Sequence, residues 1–296
     1  MILITRKLLL AISIVCIICI IGTGVSGPAY AWQLKMAMTA DKNGGGLLNP
    51  ASFYVDKAHK RYYIVDSGHN RLVSFDKGGQ PLQSFNAGGS LRLPVAMTRI
   101  GSSTLLVMEK GRDSLTVINL KDRQVKRHIL TSRRIFPARV KLAGRKIYVL
   151  NKADGRVEIM NSRLESEESF VCTGCRMGFV DFSPLGRGGV AALTALEGEI
   201  RYFAADGKEI KRIKLSPRPD FAAAFAIDPH QGRIVVAERH SGHLKIYSSS
   251  GRLQNEILSR GERPGQLLYP IQVQFDPWGR LCVLDEGNGR LAVFTE

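Results

Sequence analysis

The chain has 296 residues, of which 44% are hydrophobic and 23% charged, and its formal net charge is +16 at pH 7. That balance excludes an intrinsically disordered chain, and the length allows one large domain or two ordinary ones. The positive excess points to anionic partners, either an acidic protein or an anionic polysaccharide or lipid surface.

Residues 1–31 read as a secretory signal peptide. Arg6 and Lys7 form a positive start, and Leu8 to Ile21 is apolar or small throughout, with Ser13 its only polar member. Gly22, Gly24, Ser26, Gly27 and Pro28 then break any helix, and Ala29-Tyr30-Ala31 is a small-residue cleavage site just before Trp32. The apolar run is shorter than the ~20 residues of a spanning helix, so cleavage is expected rather than an uncleaved anchor. Cys16 and Cys19 follow Val15 and Ile18, which are too bulky for a lipid-attachment site. The mature chain, residues 32–296, is therefore expected in the periplasm or secreted, as a monomer with no integral span. Losing Arg6 and Lys7 takes its charge from +16 to +14. Export makes nucleic acid a poor guess as partner.

Beyond the leader one unit recurs six times. An apolar run, a polar turn usually containing glycine, and a second alternating run end at Phe75, Ile118, Met160, Phe203, Tyr247 and Phe294. The spacings are 43, 42, 43, 44 and 47 residues. Each unit is a β-hairpin. One further strand precedes it, such as Phe53-Tyr54-Val55, and another follows, such as Lys208 to Leu215. Four short strands per repeat of this length predict an all-β, six-bladed β-propeller. The last repeat stops at Glu296, one strand early. Leu34 to Met38 and the glycine-rich stretch to Pro50 match Asn255 to Leu258 and the stretch to Pro270. The N-terminal strand is therefore expected to complete the last blade and close the ring.

These motifs resemble the NHL-repeat family over residues 32–296. Blade six carries the pattern most fully, with Gly261 to Pro270, then Phe275 to Arg280, then Asp285, Asn288 and Arg290; blade one carries Asp66, Asn70 and Arg71. The aspartate position becomes Glu109, Asn151, Thr194 and Glu238 in the other blades. The resemblance implies the fold; propellers of this kind host lyases, lactonases and pure binding modules. Amidating lyases of this type hold zinc with three histidines from separate blades. Here His69, His240 and His243 fall in hairpin turns of only two blades.

The hairpin-turn residues are the candidate channel-mouth site: Asp66, His69, Arg71, Glu109, Arg112, Asn151, Glu238, His240, His243, Asp285 and Arg290. Because the acidic position repeats in each blade, its expected role is structural. An aspartate at a strand end accepts turn N–H bonds, and Arg71 or Arg290, five residues on, pairs with it. A rival reading makes Asp66, Glu109, Asn151, Glu238 and Asp285 ligands of a metal-dependent lyase or lactonase. Oxygen ligands would suit calcium better than zinc. The leading expectation involves no metal or cofactor.

Cys172 and Cys175 are expected to form a disulfide between blades three and four, and Cys282 to be buried and inert. The stretch Lys121 to Lys146 holds ten basic residues against Asp122. It is expected to run from the outer strand of blade two into blade three. Its Lys126, Arg127, Arg133, Arg134, Arg139 and Lys141 form the candidate patch for an anionic partner. Lys208, Lys211, Arg212, Lys214 and Arg218 add a second cluster. No G-x-S-x-G elbow, H-E-x-x-H helix or phosphate loop is present. The leading function is therefore an exported binding or scaffold module rather than an enzyme.

Overall fold

A computed structural model describes residues 32–296 except 113, 122–123, 130–135 and 162, together with the backbone but not the side chains of 112, 124 and 127–129. The expected leader, residues 1–31, lies outside the described residues.

Six four-stranded antiparallel sheets make up the propeller. The innermost strands are Pro50–Asp56, Pro94–Ile100, Pro137–Ala143, Phe179–Pro184, Ala222–Ile227 and Pro270–Phe275. Arg61–Asp66 is the second strand of blade one, Arg71–Asp76 the third and Pro81–Phe85 the outermost, and each later blade repeats that order. Blade six borrows its outermost strand. Gln33–Met38 pairs antiparallel with Arg290–Thr295, with Met38 opposite Leu291 and Leu34 opposite Phe294. This is the closure expected from the truncated last repeat.

Burial explains the sequence pattern. Second strands are covered on both faces, so Tyr62, Tyr63, Ile64 and Val65 are all buried. Successive side chains point to opposite faces of a strand. Tyr62 and Ile64 therefore pack toward blade six, and Tyr63 and Val65 toward blade two. Six apolar clusters result, one at each junction between neighbouring blades. The cluster joining blades six and one contains Met38, so the N-terminal strand contributes to the core as well as to the sheet.

Every innermost strand carries a bulge at its second residue, where its register against the second strand shifts. The face on which these strands begin, with the hairpin turns and the inter-blade linkers, is the upper face. On the lower face Asp56, Asp228 and Asp276 accept N–H bonds from their turns. Burial opposes ionisation of Asp228, yet Arg233 and the N–H groups of His230 and Gln231 hold its carboxyl below the usual range.

Candidate functional site

The acidic residues at the ends of the second strands are struts, buried beneath the upper face. Asp66, Glu109, Asn151, Glu238 and Asp285 are each at most 3% exposed. Their side chains accept the backbone N–H groups of Leu48, Arg92, Phe136, Asp220 and Leu268, one in the linker of each blade. Each thus fixes the chain just before it becomes an innermost strand. Blade four is the exception. Thr194 is too short to reach its linker and accepts from Glu199 within the turn, while Glu197 accepts from Arg176 instead.

The arginines five residues on bind these carboxylates. Arg71 Nε donates to Asp66 Oδ2 at 2.6 Å, and Arg290 Nε to Asp285 Oδ2 at 2.8 Å. In blade five Lys245 takes that role with Glu238 at 2.8 Å. Burial pushes the Asp285 carboxyl up, despite the bonds from Asn288, Leu268 and Arg290. Thr116 donates to Glu109. The linkers cover the five acidic-position residues, and none of them lines the cavity at either end of the channel.

The histidines share the upper face without converging. His69 Nδ1 contacts Asp66 at 2.9 Å, and His243 pairs with Glu256. His240 lies between two rings, 4.7 Å from Phe221 and 6.2 Å from Tyr269. Among the described residues no three His, Cys, Asp or Glu side chains group as a metal site. The backbone of Arg112 lies in the corresponding turn of blade two.

The basic stretch divides. Lys126 is exposed on the outermost strand of blade two, which also contains Arg127, and Arg133 and Arg134 lie outside the described residues. Arg139 and Lys141, expected on the same surface, instead lie on the innermost strand of blade three and point into the channel. Linear charge density does not reveal which strand faces the axis. The second cluster is on the outermost strand of blade four, where Lys211, Arg212 and Lys214 are exposed. Cys172 and Cys175 are disulfide-bonded in the linker from blade three to blade four. Cys282 is a buried free thiol whose ionisation burial opposes.

The surface that covers the struts stands out. Asn49, Leu93, Gly178, Phe221 and Tyr269 each directly precede an innermost strand, with φ between 44° and 71°. Such left-handed backbone is uncommon for bulky residues. The first N–H of the adjacent hairpin turn binds the carbonyl of Leu93, Gly178, Phe221 or Tyr269 and locks the arrangement. It leaves Phe221 71% and Leu93 49% exposed. Leu48, Phe136, Val171, Met177 and Leu196 are exposed on the same face, which therefore holds seven of the nine exposed large apolar side chains among the described residues.

In the middle of this face is a recess of about 200 Å3. The bulge residues Ala51, Val95, Ala138 and Ile271 line it, as do Phe136, Lys110, Lys152, Arg139 and Glu286. Three cations thus oppose one carboxylate. Arg139 forms the floor. Its guanidinium reaches across the ring to the carbonyl of Ile271 and also donates to Ala138, but its buried Nε has no partner among the described residues. Burial pushes the pKa of its guanidinium down, although a guanidinium still stays charged. Beside the recess Arg239 and Arg260 lie 5.6 and 5.2 Å from the ring centre of Tyr269, and Arg239 pairs with Glu286 at 2.5 Å. A sequence signal for this face exists in four blades, where Asn49, Leu93, Phe136 and Tyr269 precede an inner-strand proline; Gly178 and Phe221 precede Phe179 and Ala222 and carry none.

No protein-family model and no curated protein matches the chain. Solved propellers do match its fold. A catalytically inactive histidine-to-alanine variant of virginiamycin B lyase from Staphylococcus aureus, with quinupristin, superposes with a TM-score of 0.61 at 12% identity, covering 82% of this chain and 79% of the lyase. Hydrazine synthase from Kuenenia stuttgartiensis gives 0.59 at 13% identity, covering 83% and 95%. The Pan2 WD40 domain from Neurospora crassa gives 0.55 at 15% identity, covering 83% and 74%. At such identities the likeness establishes the propeller fold and leaves the activity open.

Proposed function

We propose that this protein is an exported NHL-type binding module whose upper face docks a protein partner bearing acidic and apolar side chains. The observation that carries this reading is the concentration of exposed apolar side chains on one face around a cationic recess. Contiguous apolar patches with a polar rim mark protein interaction sites. An anionic polysaccharide would satisfy Lys110, Lys152 and Arg139 but offers nothing to Phe221, Leu93 or Met177. A partner carboxylate in the recess would face the cationic side chains of Lys110, Lys152 and Arg139.

A photo-crosslinking amino acid placed at Phe221, Leu93 or Met177 in cells of origin tests the proposal. Discrete protein adducts are expected from these positions and none from Leu120 or Ile210, which lie elsewhere on the surface. Equal labelling from both sets, or adducts containing only lipid or polysaccharide, would overturn it. Metal analysis bears on the lyase alternative: about one tightly held ion per chain would move the assignment to that reading.

A further inference from the structure

We infer that the lower face is a second docking surface, which rests on an anionic phospholipid membrane. Blades one to five each have two turns on this face, one between the innermost and second strands and one between the third and outermost strands. Every one of these blades presents an exposed cation there: Lys57 and Lys77 in blade one, Lys121 in blade two, Arg145 in blade three, Arg187 in blade four and Arg252 in blade five. Among the described residues of these turns the exposed carboxylates are Glu165 and Asp206. Both are held in their own turns, Glu165 by Asn161 and Asp206 by the N–H of Lys208.

The carboxylates beneath do not cancel this charge. Asp56, Asp228 and Asp276 are buried and pair with Arg99, Arg233 and Arg280. No carboxylate of the described residues pairs with any of the six outer cations. The mouth of the channel adds no net charge either. A cavity of about 360 Å3 opens there, and Lys141, the one charged residue of its lining among the described residues, pairs with Asp181 at 3.1 Å.

The form of the surface selects its partner. Seven of the nine exposed large apolar side chains lie on the upper face, whereas Leu120, at 36%, is the only one in the described lower turns. Cations without apolar side chains suit a hydrated layer of phosphates rather than a protein, whose interfaces are apolar at the centre. Because the blades repeat, the turns end at one level around the channel. A plane of charge matches a bilayer surface, whereas a single polyanion strand would reach only the cations along one line across it. Trp278 is partly exposed, with Lys77 and Arg280 5.3 and 4.9 Å from its ring, and an indole favours the headgroup region. The first strand also starts at this face, where Gln33 lies opposite Thr295. Residues 1–31, expected to lead export, are therefore joined to the propeller on this side.

Cosedimentation of the purified exported protein with vesicles tests the inference, using phosphatidylcholine alone and an equal mixture of phosphatidylcholine and phosphatidylglycerol. Binding to the mixed vesicles should exceed binding to the neutral ones at least about tenfold and should weaken as salt is raised. Lys57→Gln, Arg145→Gln, Arg187→Gln and Arg252→Gln combined should weaken it about hundredfold or more, since each cation near an anionic surface contributes about fivefold. Lys42→Gln, Lys110→Gln, Lys152→Gln and Arg176→Gln combined give a chain of the same net charge, altered on the upper face only. That variant should lose less than about threefold, because the thickness of the propeller exceeds the screening length. All eight side chains are exposed, so both variants should unfold at the temperature of the parent chain. Equal binding to the two kinds of vesicle, equal losses in the two variants, or retention by polygalacturonate with none by the anionic vesicles would overturn the inference.

Discussion

The two ends of the channel are built from the same six strands yet differ in chemistry. At the upper end the bulges turn apolar residues toward the axis and the linkers push Leu93 and Phe221 into solvent, giving an apolar face around a cationic recess. At the lower end the cavity is larger, and the one charged residue of its lining among the described residues, Lys141, is paired with Asp181. Arg139 separates them by bridging to Ile271 on the opposite side of the ring. The difference teaches that in a propeller a displacement of two residues along one strand moves a cation from a recess in one face to the cavity at the other end of the channel.

The junction between the two ends should be the most sensitive point. Asp181→Ala leaves Lys141 uncompensated and the N–H groups of Phe182 and Phe225 unsatisfied. It should destabilise the fold by about 3–5 kcal/mol, measured by chemical denaturation. Removing the divider should break the comparison itself. Arg139→Leu is expected to weaken partner binding by about 2–4 kcal/mol, measured by a binding assay with the captured partner. On the exposed face Phe221→Ser should change stability by no more than about 0.5 kcal/mol but reduce partner affinity about tenfold. Comparable losses in stability would mean the ring is there for packing alone.

The smallest expected effect is one of pH, at the clasp beside the closing strand. Asp41 accepts from Asn43 and Gly45 and pairs with Arg71 at 2.5 Å, and Arg71 also holds Asp66. The N–H of Asn43 is the largest influence lowering the Asp41 carboxyl below its ordinary value of 3.8; burial opposes it, and Gly45 and Arg71 add to the lowering. A depressed carboxyl contributes stability that is fully present above the unfolded value and is lost as pH falls through the folded one. The protection factors of the Gln33–Met38 amides against hydrogen exchange should therefore fall as the pH drops below about 4, and Asp41→Asn should flatten that acid dependence.

Much of the architecture was legible in the residues. The recurring hairpin and the truncated final repeat predicted six blades and an N-terminal strand beside the C-terminal hairpin, because strand periodicity and repeat length are local properties. The pairing of Asp66 with Arg71 and of Asp285 with Arg290 was legible for the same reason, since the partners are five residues apart. The site was less so. Ten basic residues between Lys121 and Lys146 read as one exposed band, whereas Arg139 and Lys141 turn inward. Asp181, Gln272 and Thr98 were passed over, although polar residues two or four places into an innermost strand interrupt an otherwise apolar run.

By itself the sequence determined the repeat, the turn chemistry and the sites of closure, all of which depend on neighbours within one blade. Only the tertiary structure decided what meets between blades and across the axis. Gln272 accepts from the N–H and donates to the carbonyl of Phe53, 219 positions away in the chain, and Arg139 reaches Ile271 over a separation of 132. The innermost strands have an unpaired edge facing the channel, and buried backbone groups must be satisfied. Which side chain does so depends on how the ring brings distant strands to the same level, and no local pattern encodes that.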